Sequence, residues 1–276
     1  MAIEAEFTGA KGRRIVTQSW LPEGSPRDQV VIAHGYAEHA GRYDAVARFL
    51  TARGFAVHAL DHHGHGRSQG ARAVIERFAQ ADADIDMLVD KVRADSGLAT
   101  VKLIGHSMGG SLALNYALGH QEKLSGLVLS GPAIGGKMAR VTRWLLALIS
   151  TLAPQRGTIA LDAGGVSRDP AVVAAYVADP LVFRGKVPAR TAYEMFKAIH
   201  SYPARVGSQT VPCLLMHGEA DTLVSAKLAA PLFAGIASPD KTIRIWPGLF
   251  HEIFNEPERA EVLALTADWL EAHPAR

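Results

Sequence analysis

The sequence predicts an α/β fold with a mostly parallel central sheet, helices on both faces and a helical insertion. Three observations carry that expectation. Short apolar runs alternate with helical patterns along the chain, the mark of repeated β-α-β connections. The runs are continuously apolar, as in strands covered on both faces, and do not alternate apolar with polar. One stretch, residues 135–208, contains no clear strand and is too long to be a bare loop.

Taken in order, "GRRIVTQSWLP" reads as an antiparallel starting strand. The strand "VVIAHG" (30–35), a helix over 44–53 and the strand "FAVHALD" (55–61) follow. A helix over 78–95, the strand "TVKLIGH" (100–106), a helix over 108–119 and the strand "LSGLVLSGP" (124–132) complete the first part. After the insertion come the strand "PCLLMHG" (212–218), a helix over 225–236, the strand "TIRIWPG" (242–248) and a helix over 258–272. Helices between successive strands make those strands parallel. The body is therefore residues 1–134 and 209–276, and residues 135–208 form a cap. Open parallel sheets bind ligands beyond the carboxyl ends of their strands. The residues just after each strand are where chemistry is expected.

Composition narrows the class. The chain has 276 residues, 48% of them hydrophobic, which suffices for a sizeable core. Its formal charge of +2 comes without a long basic run, so nothing points to nucleic acid. A single cysteine, Cys213, forbids an intrachain disulfide, fits a reducing compartment and reads as a buried strand residue. The N-terminus lacks the apolar segment of a signal peptide. The longest apolar run, "WLLALISTLA" (144–153), is about half of what spans a bilayer. A cytoplasmic protein, or one peripherally associated with a membrane or cell envelope, is expected.

"LIGHSMGG" places Gly105-His106-Ser107-Met108-Gly109 between a strand and a helix. G-x-S-x-G in that context is a nucleophile elbow, with small neighbours letting the backbone pass closely at a strained serine. The helix that follows points N–H groups at developing negative charge. Ser111 and Ser130 lack the flanking pattern. A serine needs a base, and the base needs an acid to orient it, in the chain order Ser, Asp or Glu, His. Asp221 in "HGEAD" and His251 in "LFHEIFNE" follow strands on the same sheet edge. Glu219 and Glu252 are rival acids, and His217 reads as structural. Met108 N–H, next to the nucleophile, is the expected first oxyanion donor, and the loop after "VVIA" supplies the second.

Across nearly the whole chain, "HGYAEHAGRY", "LDHHGHGRSQG", "GHSMGG", "SRDP", "DPLVFRGKVPAR", "HGEAD" and "LFHEIFNE" together resemble the α/β-hydrolases and, within them, the monoacylglycerol lipases. The resemblance implies an α/β-hydrolase fold and a Ser107, Asp221, His251 triad. It also implies Tyr36 N–H as the second oxyanion donor, Glu38 and Arg42 around a glycerol head group, and no metal or cofactor. The implied reaction is ester cleavage of monoacylglycerol to glycerol and fatty acid through an acyl-enzyme on Ser107. A lysophospholipase or broad carboxylesterase is the near alternative. An epoxide hydrolase would place Asp at the elbow. A non-catalytic binding module on the same fold would be expected to lack a triad member.

Three polar or apolar clusters need separate readings. "DHHGHGRS" (61–68) holds His62, His63 and His65, but adjacent histidines point apart and no matching ligand set lies elsewhere. A network of Asp61, His65 and Ser68 is the better reading, and His106 reads as packing or hydrogen-bonding. Arg42 and Glu38 in "AHGYAEHAGRY" either grip the leaving alcohol or brace their loop, and His39 is expected to make a structural hydrogen bond. The cap helix "MARVTRWLLALISTLAP" spaces Met138, Val141, Trp144, Leu145, Leu148, Ile149 and Leu152 on one face. It either packs on the body or forms an apolar lid meeting lipid aggregates.

Overall fold

The computed structural model describes residues 2–136 and 138–275. Eight strands form one sheet: β1 (Ile3–Thr8), β2 (Arg14–Trp20), β3 (Asp28–Ala33), β4 (Phe55–Leu60), β5 (Val101–His106), β6 (Leu124–Ser130), β7 (Cys213–Gly218) and β8 (Lys241–Trp246). Their spatial order is β1-β2-β4-β3-β5-β6-β7-β8. The first two are antiparallel to their neighbours and the rest run parallel. The helices are α1 (Asp44–Ala52), α2 (Phe78–Ser96), α3 (Met108–Ala117), α4 (Arg140–Leu152), α5 (Pro170–Ala178), α6 (Ala189–Ser201), α7 (Ala226–Ala234) and α8 (Arg259–Ala272).

The continuous apolar runs are central strands with both faces buried. Val31, Leu103, Leu127 and Leu215 face α2, α3 and α7, while Val30, Ile32, Ile104, Val128 and Leu214 face α1 and α8. The strand at the N-terminus was not expected. β1 forms a hairpin with β2 at the sheet edge and is almost wholly exposed, so no apolar run marks it. Between β6 and β7 the described residues contain helices α4, α5 and α6 and no strand, with one isolated antiparallel bridge between Gly157 and Pro188.

Register sets the stage for chemistry. Ala33 pairs with Gly105, His106 with Ser130 and Gly218 with Trp246, so the loops after β3, β5, β7 and β8 open on one edge. The chain crosses from β4 over β3 to β5, so the strand order reverses between β3 and β5. That switch point is where open α/β sheets form a crevice. Helix α3 starts there and lies unusually close to the sheet. A Cβ on Gly109 would fall 2.1 Å from the Ala33 carbonyl oxygen and 2.3 Å from that of His34, and one on Gly105 2.4 Å from the Gly109 oxygen. These neighbours are backbone and cannot swing aside. Gly109→Ala is therefore expected to destabilise the protein by about 3 kcal/mol, read from the urea midpoint. An unchanged midpoint would mean that the helix can shift freely.

Candidate active site

Ser107 sits between β5 and α3 at φ 53°, ψ −117°, a conformation that costs a non-glycine residue roughly 1–3 kcal/mol. Its backbone is held on three sides. Its N–H donates to the Ser130 carbonyl at 3.0 Å, and its carbonyl accepts from Ser111 at 3.1 Å and Ala133 at 3.0 Å. The side chain faces a cavity of about 570 Å³ that Gly35, Tyr36, His106 and His251 also line. Gly35 approaches so closely that a Cβ there would stand 3.3 Å from the Ser107 Cβ. The Met108 N–H belongs to the first turn of α3, where backbone donors have no partner within the helix.

Asp221 and His251, thirty residues apart in the chain, come together beyond β7 and β8. The His251 Nδ1–H donates to Asp221 Oδ2 at 2.6 Å. Asp221 Oδ1 accepts from the N–H groups of Leu223 at 2.8 Å and Val224 at 2.9 Å. Burial by itself would raise this carboxyl, but hydrogen bonds from His217 and His251 outweigh it and hold the group well below the usual carboxylate range. With Nδ1 engaged, Nε2 is the nitrogen of His251 left to take a proton. Of the rival acids, Glu219 is exposed and Glu252 is taken by Arg42. His217, read from sequence as structural, lies against the carboxylate, with Nε2 3.0 Å from Asp221 Oδ2. His106 packs beside His251 with ring centres 4.8 Å apart.

The loop after β3 carries Tyr36 at the cavity wall and is shaped by Glu38. Glu38 Oε1 accepts from the Gly35 N–H at 2.6 Å and the Tyr43 hydroxyl at 2.8 Å. Arg42 Nη1 reaches Glu38 Oε2 at 2.7 Å and Glu252 Oε1 at 2.6 Å, and Nη2 reaches Glu252 Oε2 at 2.8 Å. The Tyr176 ring covers its guanidinium at 4.7 Å. Of the two readings of this pair, the structure displays the brace: Glu38 lines the large cavity, but Arg42 does not. The partner Glu252 is 210 residues away, and nothing in the sequence signalled the pairing. His39 donates from Nε2 to Asp179 at 2.8 Å and accepts the Gly41 N–H at Nδ1, so it ties this loop to the segment after α5. The Ala37 carbonyl accepts from Phe183 N–H at 2.8 Å in the same seam.

Residues between β6 and β7 roof the cavity. Leu145, Leu146 and Ile149 of α4 line it opposite Met195, Phe196 and Ile199 of α6. Sequence reasoning missed Leu146, the buried apolar residue of α4. Trp144, at 74% exposure, and Leu148 turn outward with Val141 and Leu152. Farther along, the Val166 carbonyl accepts from Glu252 N–H at 2.8 Å, and Arg168 pairs with the buried Glu256 at 2.6 Å. The "SRDP" motif is thus docked on the loop that bears His251.

The histidines behind the loop after β3 are structural. His62 turns to the His34 carbonyl at 3.2 Å and His63 to Asp84 at 3.2 Å, so the neighbours do point apart. Asp61 and Ser68 form the expected network through Ala40, Arg67 and Val16 N–H groups. His65 stands outside it, bonded to the His63 carbonyl and packed on Tyr36. Burial drives His62, His65 and His106 down to about 3 and holds His34 well below its ordinary value.

The family described as Hydrolase_4: Serine aminopeptidase, S33 matches residues 24–258. The monoacylglycerol lipase of Mycolicibacterium smegmatis is 41% identical over 272 residues, covering 98% of this chain and 97% of that protein. Human monoglyceride lipase is 32% identical over 253 residues, covering 91% of this chain and 84% of that protein. The crystal structure of Paleococcus ferrophilus monoacylglycerol lipase is 29% identical and superposes with a TM-score of 0.83, covering 99% of each chain.

Two outcomes follow from the charges at this site. Arg42→Ala leaves Glu38 and Glu252 buried without their shared cation, and is expected to cost about 3–5 kcal/mol of stability. A urea midpoint equal to wild type would return the pair to a surface role. His62, His65 and His106 bind protons more readily unfolded than folded. Stability is then fully present above the ordinary histidine value and falls as pH drops from there toward about 3, by about 1.4 kcal/mol per pH unit for each. Midpoints measured at pH 7.5, 6.5 and 5.5 should decline steeply; a flat series would refute it.

Proposed function

The chain belongs to the Hydrolase_4 family of α/β-hydrolases and within it to the monoacylglycerol lipases, and from that membership we propose that it hydrolyses monoacylglycerol at Ser107. The observation that carries the assignment is the placement of Ser107 and a carboxylate-oriented His251 on the wall of one cavity whose roof is apolar. His251 takes the hydroxyl proton as Ser107 Oγ attacks the ester carbonyl. The oxyanion is received by the N–H groups of Met108 and Tyr36, fixed before substrate arrives. His251 returns the proton to the departing glycerol, and water then attacks the acyl-enzyme by the same route. Asp221 stays ionised throughout and holds the imidazole in place.

The acyl chain extends along Leu145, Leu146, Ile149, Met195 and Ile199, away from the charged end of the cavity. Glu38 and Arg42 serve the alcohol side through the loop they hold rigid. An ammonium terminus of a peptide would find Glu38 and Glu252 already paired with Arg42, which disfavours peptide substrates. Residues 135–208 are taken as the cap, and the outward face of α4, with Trp144 and Leu148, as the surface that meets lipid aggregates. Among the described residues no helix is long and apolar enough to cross a membrane.

The test is release of fatty acid from monoacyl-, diacyl- and triacylglycerols and from lysophosphatidylcholine. Wild type is expected to turn over monoacylglycerol fastest, and Ser107→Ala to lose about ten-thousand-fold or more. Equal rates in the two proteins would eliminate the mechanism, whereas preference for lysophospholipid would remove only the substrate. In the same assay Trp144→Ser/Leu148→Ser should slow hydrolysis of dispersed long-chain substrate and spare a short soluble ester. Identical behaviour on both would refute the lipid-facing surface.

A further inference from the structure

His217 is a buried polar side chain at the site that the mechanism above leaves without a part. It is the penultimate residue of β7, four residues before Asp221, with no exposed surface. Its Nε2 lies 3.0 Å from Asp221 Oδ2 and 2.8 Å from the Val224 carbonyl oxygen. A carboxylate and a carbonyl only accept, so Nε2 carries the hydrogen and the tautomer is fixed. Nδ1 is buried with no hydrogen-bond partner among the described residues. A ring oriented only by packing would not need its one satisfied nitrogen shared between a carboxylate and the loop that follows it.

We propose that His217 is a positioning residue of the hydrolysis, whose Nε2–H divides Asp221 Oδ2 with His251 and fixes the carboxylate that orients the base. The inference rests on the reading of Ser107, Asp221 and His251 given above. Asp221 is rotatable about its Cβ–Cγ bond, and four donors stop it. Leu223 and Val224 N–H groups hold Oδ1, while His217 and His251 share Oδ2. Of these, His217 alone links Oδ2 to the strand, because its own backbone pairs with Ile245 of β8 inside the sheet. It thus transmits the rigidity of the sheet to a carboxylate that stands on a loop. It also takes part of the negative charge that Oδ2 would otherwise present to His251, so its loss should make His251 a stronger base.

Other charged and titratable groups lie around the same site. His106, at the end of β5, packs its ring 4.8 Å from that of His251 and interacts electrostatically with Asp221, with Glu252 from the loop after β8 and with Arg42 from the loop after β3. None of His106, Glu252 and Arg42 contacts His217 directly in a hydrogen bond, and substitution at His217 leaves them in place. A shift in the acid limb of activity on removing the His217 donor therefore reports on Oδ2.

The experiment compares the wild-type chain of 276 residues with His217→Leu, His217→Gln, His217→Asn and Ser107→Ala on a p-nitrophenyl ester from pH 6 to 9. Circular dichroism and urea midpoints check the fold of each. A glutamine amide reaches where the imidazole Nε2 sits, whereas an asparagine amide stops short of Asp221. His217→Leu and His217→Asn are expected to lower kcat by about 10- to 100-fold, the worth of a hydrogen bond to a charged group. KM should hold, and the acid limb should move to higher pH. His217→Gln is expected to recover most of the turnover and the wild-type limb. Wild-type kcat and limb in a folded His217→Leu overturn the inference. If that variant does not fold, equal activity of His217→Gln and His217→Asn overturns it instead. Retained activity in Ser107→Ala would instead sink the hydrolase reading on which it rests.

Discussion

The architecture of the site depends on the approach of helix α3 to the end of strand β3. With a Cβ at Gly109 excluded by the Ala33 and His34 carbonyls, only glycine lets the helix N-terminus lie against the strand that leads to Tyr36. That contact sets the distance between Ser107 and the loop that carries Tyr36. It also explains how Ser107 stays at positive φ. The strained residue is closed in by hydrogen bonds to Ser130, Ser111 and Ala133, so relaxing it would break three hydrogen bonds at once. Strain held by a rigid surround is a means of presenting a side chain in one orientation before the substrate arrives.

The segment between β6 and β7 divides physically into two parts. Residues around 163–184 are fastened to the loops that carry the chemistry. Val166 and Arg168 grip the loop of His251, and Asp179 and Phe183 grip the loop of Tyr36. Displacing them would unseat Tyr36 and His251, the groups to which the proposed mechanism gives the oxyanion and the proton. Helix α4 differs: Val141, Trp144, Leu145, Leu148 and Leu152 are exposed, and its buried residues are Leu146 and Ser150. An apolar face of that kind is poorly satisfied by water and well satisfied by an acyl surface. Substrate entry is therefore best sought at α4, and site geometry at the fastened part.

How much of this was legible in sequence follows from the range of each signal. The succession of strands and helices, the elbow at Ser107 and the strand-end positions of Asp221 and His251 were readable because each is marked locally, by an apolar run ending in a small or polar residue. β1 was not readable, since a strand exposed on an edge has no run to show. Arg42 was found, but its bonding to Glu252 joins loops far apart in the chain, and periodicity carries nothing about such pairs. The same holds for Lys102, which sits inside an apolar strand and is neutralised by Asp28, its partner from β3. His217 was visible as a residue and invisible as a donor, because its role depends on how the loop after β7 folds back.

Charge is distributed so that one end of the cavity is polar and the other is not. Glu38 and Glu252 are spent on Arg42, so neither carboxylate is left to attract a cation or to compete with Asp221 for His251. Asp221 is itself saturated by four donors and stays ionised despite burial. Desolvation holds the buried His34, His62 and His65 below their ordinary values, so these three add no positive charge behind the loop of Tyr36. In the proposed mechanism the field at the ester carbonyl is then shaped mainly by backbone N–H groups and by the proton that His251 takes from Ser107. Such a site gains little from a charged substrate and most from one that is neutral at the carbonyl and apolar along its chain, which is the chemistry of a monoacylglycerol.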